Sequence, residues 1–188
     1  DLLKKSAELL QDKLEAQSAI NDVMDYIMER MRGYFYDQGI PADTFEAVRN
    51  IQPTRLLDFA ERISAVQHFR NLPESESLAA ANKRIRNILK KSSCGNKPAN
   101  TALFRETAEQ SLFQQVIEAE EKVSPLLAAR DYTAALSALA SLKPVVDQFF
   151  DEVMVMDEDE AIRDNRIALL TKVDDLFTDV ADISVLQS

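Results

Sequence analysis

The sequence predicts an all-α fold, a helical bundle of six to eight helices. Three observations carry this prediction. The 188 residues contain only three Gly, too few for the hairpins and tight turns of an all-β fold. Apolar residues recur at spacings of three and four, the period of one helix face, and no alternating strand pattern appears. Ala and Leu, both strong helix formers, abound. A hydrophobic content of 46% supplies a core, and the length fits one domain or two small ones.

The elements follow in order. Residues 2–36 read as helix, with Ser18 as the place for a break. Val23, Tyr26, Ile27, Met31, Tyr34 and Phe35 form its apolar stripe, and Gly39 and Pro41 end it. Asp43 and Glu46 have the spacing of a capping box for a short helix through Val48. Pro53 suits the first turn of a third helix that runs through Phe69. Pro73 introduces a fourth, from about Glu74 to Lys91. The stretch SSCGNKPAN (92–100) is a loop, because Gly95 and Pro98 oppose a simple helix. Helix resumes near Glu106, and Pro125 bends or restarts it. Asp131 caps DYTAALSALASL, and Pro144 restarts the chain as PVVDQFFDEVMVM. Asp157 and Glu160 cap the last helix. Its buried seam is Ile162, Leu169, Val173, Leu176 and Val180, with Leu170 and Phe177 beside it.

Composition excludes several kinds of chemistry. The sequence holds one His, His68, and one Cys, Cys94, so no zinc site of the usual His/Cys type can be built. Neither Gly-rich phosphate cradle, GxGxxG nor GxxxxGK[ST], is present. His68 lies in ISAVQHFRNLP without a nucleophile-elbow signature, and reads as a cap or packing residue. The acidic run DEDE (157–160) complements a helix N-terminus and has no convergent ligands for a metal. No catalytic residue is therefore assigned. No apolar run approaches the ~20 residues of a membrane-spanning helix. The N-terminus lacks a secretory pattern, and a single Cys suits a reducing cytoplasm. The chain opens on Asp1 rather than Met, which points to a piece of something longer.

Charge is unevenly placed. The formal net charge is −10, yet Ser77–Arg105 contains seven Lys or Arg and no Asp or Glu. Residues 147–182, in contrast, carry twelve acids and three bases. On a helix at about 100° per residue, Lys83, Arg86, Asn87 and Lys90 share one face, flanked by Arg84 and Lys91. Leu78, Ala81, Ile85, Ile88 and Leu89 take the other, and Lys97 and Arg105 extend the charge. A solvated face is the ordinary reading of charged residues, but ordinary faces mix signs. Such segregation creates a local field. It suits a nucleic-acid backbone, with Asn82 and Asn87 available for base edges. It suits equally an acidic protein surface, the chain's own C-terminal helix included. Arg163, Asn165 and Arg166 are either internal salt-bridge partners or a second polar surface.

Four stretches carry a family resemblance: MRGYFYDQGI, LAAANKRIRNILKK, LLAARDYTAALSALASLKPVVDQFFDEVMVMDEDEAIRDNRIALL and VADISVLQ. Together they resemble the C-terminal anticodon-binding domain of the bacterial glycyl-tRNA synthetase β subunit, from about Met24 onward. That domain is of the DALR type. DEAIR (159–163) resembles the naming motif, with Glu160 and Ile162 departing from it and Ile162 keeping the buried role. The resemblance implies a domain over 21–188, with 1–20 as the join to an upstream subunit body. It implies a part of a cytoplasmic glycine–tRNA ligase that reads the anticodon of glycine tRNA. Catalysis, with ATP and Mg, would belong to the α subunit of an α2β2 assembly, and this chain alone would be non-catalytic and need no cofactor.

On that reading Lys83, Arg84, Arg86, Lys90, Lys91 and Lys97 are candidates for RNA phosphates. Asn82, Asn87, Arg163, Asn165 and Arg166 are candidates for bases or sugars. The competing reading is a helical protein–protein module whose basic face docks an acidic surface.

Overall fold

The computed structural model describes Lys5, Ser6, Leu9 and residues 19–92 and 98–186. No described residue lies in a strand, and the described residues from Ala19 onward form eight α-helices. They are α1 (Ala19–Asp37), α2 (Ala42–Arg49), α3 (Leu56–Arg70), α4 (Ser75–Leu89), α5 (Thr107–Ala129), α6 (Tyr132–Ala140), α7 (Lys143–Glu152) and α8 (Glu160–Thr178). Short 3-10 turns lie at Thr101–Leu103 and Ile183–Val185. The all-α bundle predicted from periodicity is therefore the observed class. Most of the predicted helix over 2–18, the break at Ser18 and the join over 1–20 lie outside the described residues.

One apolar core holds the bundle together. Helix α6 packs between α3 and α5, and α7 lies along α5. Helix α4 packs on α8 and on the C-terminal 3-10 turn. Phe35, Phe45 and Phe59 bring α1, α2 and α3 together through ring contacts of 5.1–6.2 Å. The predicted seam of α8 is buried at every position, including Val180 just beyond its end.

Several local expectations are corrected. The stripe of α1 has the predicted period but another phase: Met28 and Phe35 are buried, whereas Val23, Tyr26 and Tyr34 are exposed. Aromatic rings alone do not tell a core face from a wet one. No capping box forms at α2. Asp43 instead accepts from the Thr44 amide and pairs with Arg70, while Glu46 pairs with Arg32. Pro53 precedes α3, whose first residue is Leu56. Pro125 neither ends nor restarts α5, which runs through it to Ala129. Glu106 and Glu109 form the capping box of that helix. Helix α7 stops at Glu152, and Val153 and Val155 then turn inward while Met154 and Met156 face solvent. The N-cap of α8 is Asp159, which accepts from the amides of Ala161 and Ile162. Asp157 supports that cap by accepting from the Asp159 amide at 3.0 Å.

Candidate nucleic-acid interface

Helix α4 carries the basic sequence. Its apolar positions set its orientation, with Leu78 and Ile85 buried against the core. Asn82 lies on the same inward side at 3% exposure, so it cannot offer its amide to a base. This corrects one assignment made from spacing alone.

Arg86 supplies a second correction. It points sideways to the C-terminal end of α8, not outward. Its guanidinium donates to Asp174 at 3.0 Å, to Asp182 at 2.8 Å and to Thr178 Oγ1 at 2.8 Å. Asp182 also accepts from Asn50 Nδ2 at 2.9 Å, which ties α2 to the same point. Arg86 is thus a clamp between α4, α8 and the C-terminal turn, and its donors are committed. The acidic partner foreseen as an alternative is present, and it is the chain's own C-terminal end. Burial pushes the Asp174 carboxyl above the ordinary carboxylate value. The neighbouring charges of Asp182 and Asp175 add to this, so that Arg86 offsets it only in part.

The other flank of α4 faces α7. Ser77 Oγ donates to Asp147 at 3.1 Å, and Asp147 is paired with Lys143. Further along α4, the Arg84 guanidinium carbon sits over the Phe150 ring, 4.1 Å from its centre. Phe150 itself packs edge-on against buried Phe149. Phe150 could not be found from the spacing of the basic helix, because it belongs to another helix.

Between these flanks runs an outward ridge formed by α4 and the turn that follows it. Lys83, Arg84, Asn87, Lys90 and Lys91 are all exposed. Their side chains have no hydrogen bond or ion pair among the described residues, apart from the Arg84 ring contact. Most other cations are engaged: Arg32, Arg49, Arg62, Arg70, Arg105, Arg163 and Arg166 all pair with carboxylates. A recess of about 470 Å³ opens beside the ridge, lined by Ala79, Ala80, Lys83, Arg70 and Leu186 among others. Lys97 lies outside the described residues.

The second candidate group does not join this surface. Asn165 is buried, donating to the Asn100 carbonyl at 3.1 Å and accepting from the Asn100 amide at 2.6 Å. It pins the segment that leads into α5. Arg166 is 3% exposed and bridges Glu109, at 3.0 Å, to Asp157 and the Met154 carbonyl, both at 2.8 Å. Burial alone would raise the Glu109 carboxyl. Arg166 and the amides of Glu106 and Arg105 outweigh it and hold the group below its ordinary value. Asn165 and Arg166 are therefore structural residues rather than base contacts. Arg163 remains partly exposed and leans on Glu160 and the Asp157 carbonyl. The DEAIR stretch shapes the fold: Asp159 caps, Ile162 is buried and Arg163 ties back.

Among the described residues, no group of three or more His, Cys, Asp or Glu side chains could hold a metal ion. No helix among them is long and apolar enough to cross a membrane.

A family model described as the DALR anticodon binding domain matches residues 78–183, from the start of the basic helix to the C-terminal turn. The chain belongs to the DALR anticodon binding domain family. The matched region contains α4, its Arg86 clamp and α8. This DALR domain is also similar to the glycine–tRNA ligase beta subunit of Haemophilus influenzae (strain PittGG), 48% identical over 187 residues, which is 100% of this chain and 27% of the relative. The beta subunit of Actinobacillus pleuropneumoniae serotype 7 (strain AP76) is 46% identical over 100% of this chain and 27% of its own length. That of Shewanella sp. (strain ANA-3) is 47% identical over 99% of this chain and 27% of its own length. The chain thus spans about a quarter of the length of the relatives it matches.

Proposed function

We propose that this DALR domain binds the anticodon arm of glycine tRNA, as the anticodon-binding part of a glycine–tRNA ligase β subunit. The observation that carries this reading is the outward ridge of α4 and the turn that follows it. In a domain of net charge −10, its cations are exposed and, among the described residues, unpaired. Lys83, Lys90 and Lys91 are point charges suited to phosphates, and Asn87 is the amide left on the ridge for a base or sugar. The acidic remainder repels the rest of the tRNA and leaves this ridge as the approach.

On this reading the ligation chemistry, with ATP and Mg, belongs to a separate α subunit. The β subunit joins it in an α2β2 assembly in the cytoplasm. The residues of this chain contribute binding and orientation, not bond making.

The deciding experiment is a titration of the chain against glycine tRNA and against the same tRNA with a swapped anticodon. Tighter binding of the first is expected. Equal affinity for both removes anticodon reading. The Lys83→Glu/Lys91→Glu double variant separates the protein-docking alternative, since unchanged RNA binding together with a changed assembly mass would favour it.

A further inference from the structure

Two arginines in this fold sit over aromatic rings at the same short distance, and they differ in what else they touch. Arg62 lies 4.1 Å from the centre of the Tyr132 ring, and its side chain is only 14% exposed. Its donors reach Asp58, the carbonyls of Asp179 and Val180, and the Tyr132 hydroxyl. That pair is a structural joint with nothing left over. Arg84 lies 4.1 Å from the centre of the Phe150 ring, is exposed, and has no acceptor among the described residues. A ring beneath it limits its rotamers, so the planar group is held in place before any ligand arrives.

We propose that Arg84, seated on Phe150, is a stacking platform for one unpaired nucleobase of the bound RNA. The inference rests on the RNA-binding reading above and gives that surface its base-recognising element. The guanidinium carbon lies over Phe150 and the residue is exposed, so the side turned away from the ring is the one open to a ligand. A base laid on that outer face completes a three-layer stack, since unpaired bases sit on Arg planes as well as on rings. The edge donors of Arg84 remain for the base or its own phosphate. Lys91 lies seven residues on, exposed in the turn that follows α4, where it can hold the backbone of the stacked nucleotide. Asp147, one turn before Phe150 on α7, is paired with Lys143 and Ser77 and does not oppose the approach. Arg84 is thus reassigned from a phosphate contact to a positioning plane.

The test is a double-mutant cycle on the whole chain. The protein partners are wild type, Arg84→Lys, Phe150→Leu and Lys91→Ala. The RNA is a glycine-tRNA anticodon arm, intact or abasic at each loop position in turn. Arg84→Lys keeps the charge and loses the plane, so binding should weaken about tenfold with an unchanged salt slope. At one loop position, abasic substitution should weaken wild type about tenfold and Arg84→Lys hardly at all. Phe150→Leu should reproduce the Arg84→Lys pattern. Lys91→Ala should instead lower the salt slope by about 0.7 and keep the abasic effect. If Arg84→Lys binds intact RNA as wild type does, or no position couples to it, the platform is overturned while the RNA-binding reading stands. If wild type binds none of these RNAs, both fall together.

Discussion

Three neighbouring cations on one helix have three different fates. Lys83 is free, Arg84 rests on a ring and Arg86 is held in a carboxylate clamp. Their substitutions should separate accordingly. Arg86→Ala leaves Asp174 and Asp182 without their cation, at 13% and 4% side-chain exposure. It should cost about 2 kcal/mol in a chemical denaturation measurement, a value below that of a fully buried pair because Arg86 keeps some solvent contact. Lys83→Ala should leave stability within about 0.5 kcal/mol and weaken RNA binding. The reverse pattern would mean that Lys83, not Arg86, is the structural residue. Glu109 is the most demanding single position. Its carboxylate is wholly buried, pairs with Arg166 and accepts two amides. Glu109→Ala should cost about 3–5 kcal/mol.

Among the elements, caps and breakers differ in how legible they are. Asp131 accepts from the Ala134 amide as its capping position predicts, and α5 starts at Thr107, beside the Glu106 where the sequence places the return to helix. Asp43 and Asp157 have the same kind of spacing, yet other partners claim them: Arg70 for the first and Arg166 for the second. A capping motif names residues that can cap, and tertiary partners decide whether they do. Two positions in α5 act against their helix. Pro125 is exposed within it and cannot donate to the preceding turn. Pro125→Ala should raise stability by about 1 kcal/mol, read as a higher melting temperature. Arg130 ends α5 in the left-handed region at φ 60°, and Arg130→Gly should add up to about 1 kcal/mol by removing that strain. Unchanged melting in both variants would mean that α6 and α7, rather than the backbone of α5, set the stability of this corner.

At the scale of the whole molecule, acid is distributed in two opposite ways. Glu109 and Asp58 titrate below their ordinary values, because Arg and hydroxyl or amide partners outweigh the opposing effect of burial. Their contribution to stability is full above the ordinary carboxylate value of about 4 and is lost as pH falls through the lowered value. Asp174, Asp175 and Asp179 titrate above their ordinary value, chiefly because burial disfavours the charge. They cost stability above their raised values, and the cost is relieved as pH falls through them. The melting temperature should therefore rise slightly as pH falls from neutral through the raised carboxylate values, and drop steeply below the ordinary carboxylate value of about 4. Asp174→Asn should flatten the rise without removing the drop. The salt dependence of RNA binding should follow the charge of the ridge. Three phosphate contacts from Lys83, Lys90 and Lys91 correspond to a log–log salt slope of about −2. A slope near zero would mean that the ridge makes no phosphate contact.

The sequence by itself determined the helical class, the core seam of α8, the punctuation at Asp131 and Glu106, and the existence of one acid-free basic helix. These depend on period, composition and local capping, which are properties of neighbours along the chain. Tertiary structure decided which basic residues remain available. Lys83, Asn87, Lys90 and Lys91 point outward, Arg84 rests on Phe150, Arg86 clamps α8, and Asn82 turns to the core. It also turned Asn165 and Arg166 into internal ties. The physical reason is that charge on one helix specifies only a demand for opposite charge. The partner, whether a carboxylate 88 residues away in Asp174 or a phosphate on another molecule, is fixed by which surfaces the core brings together.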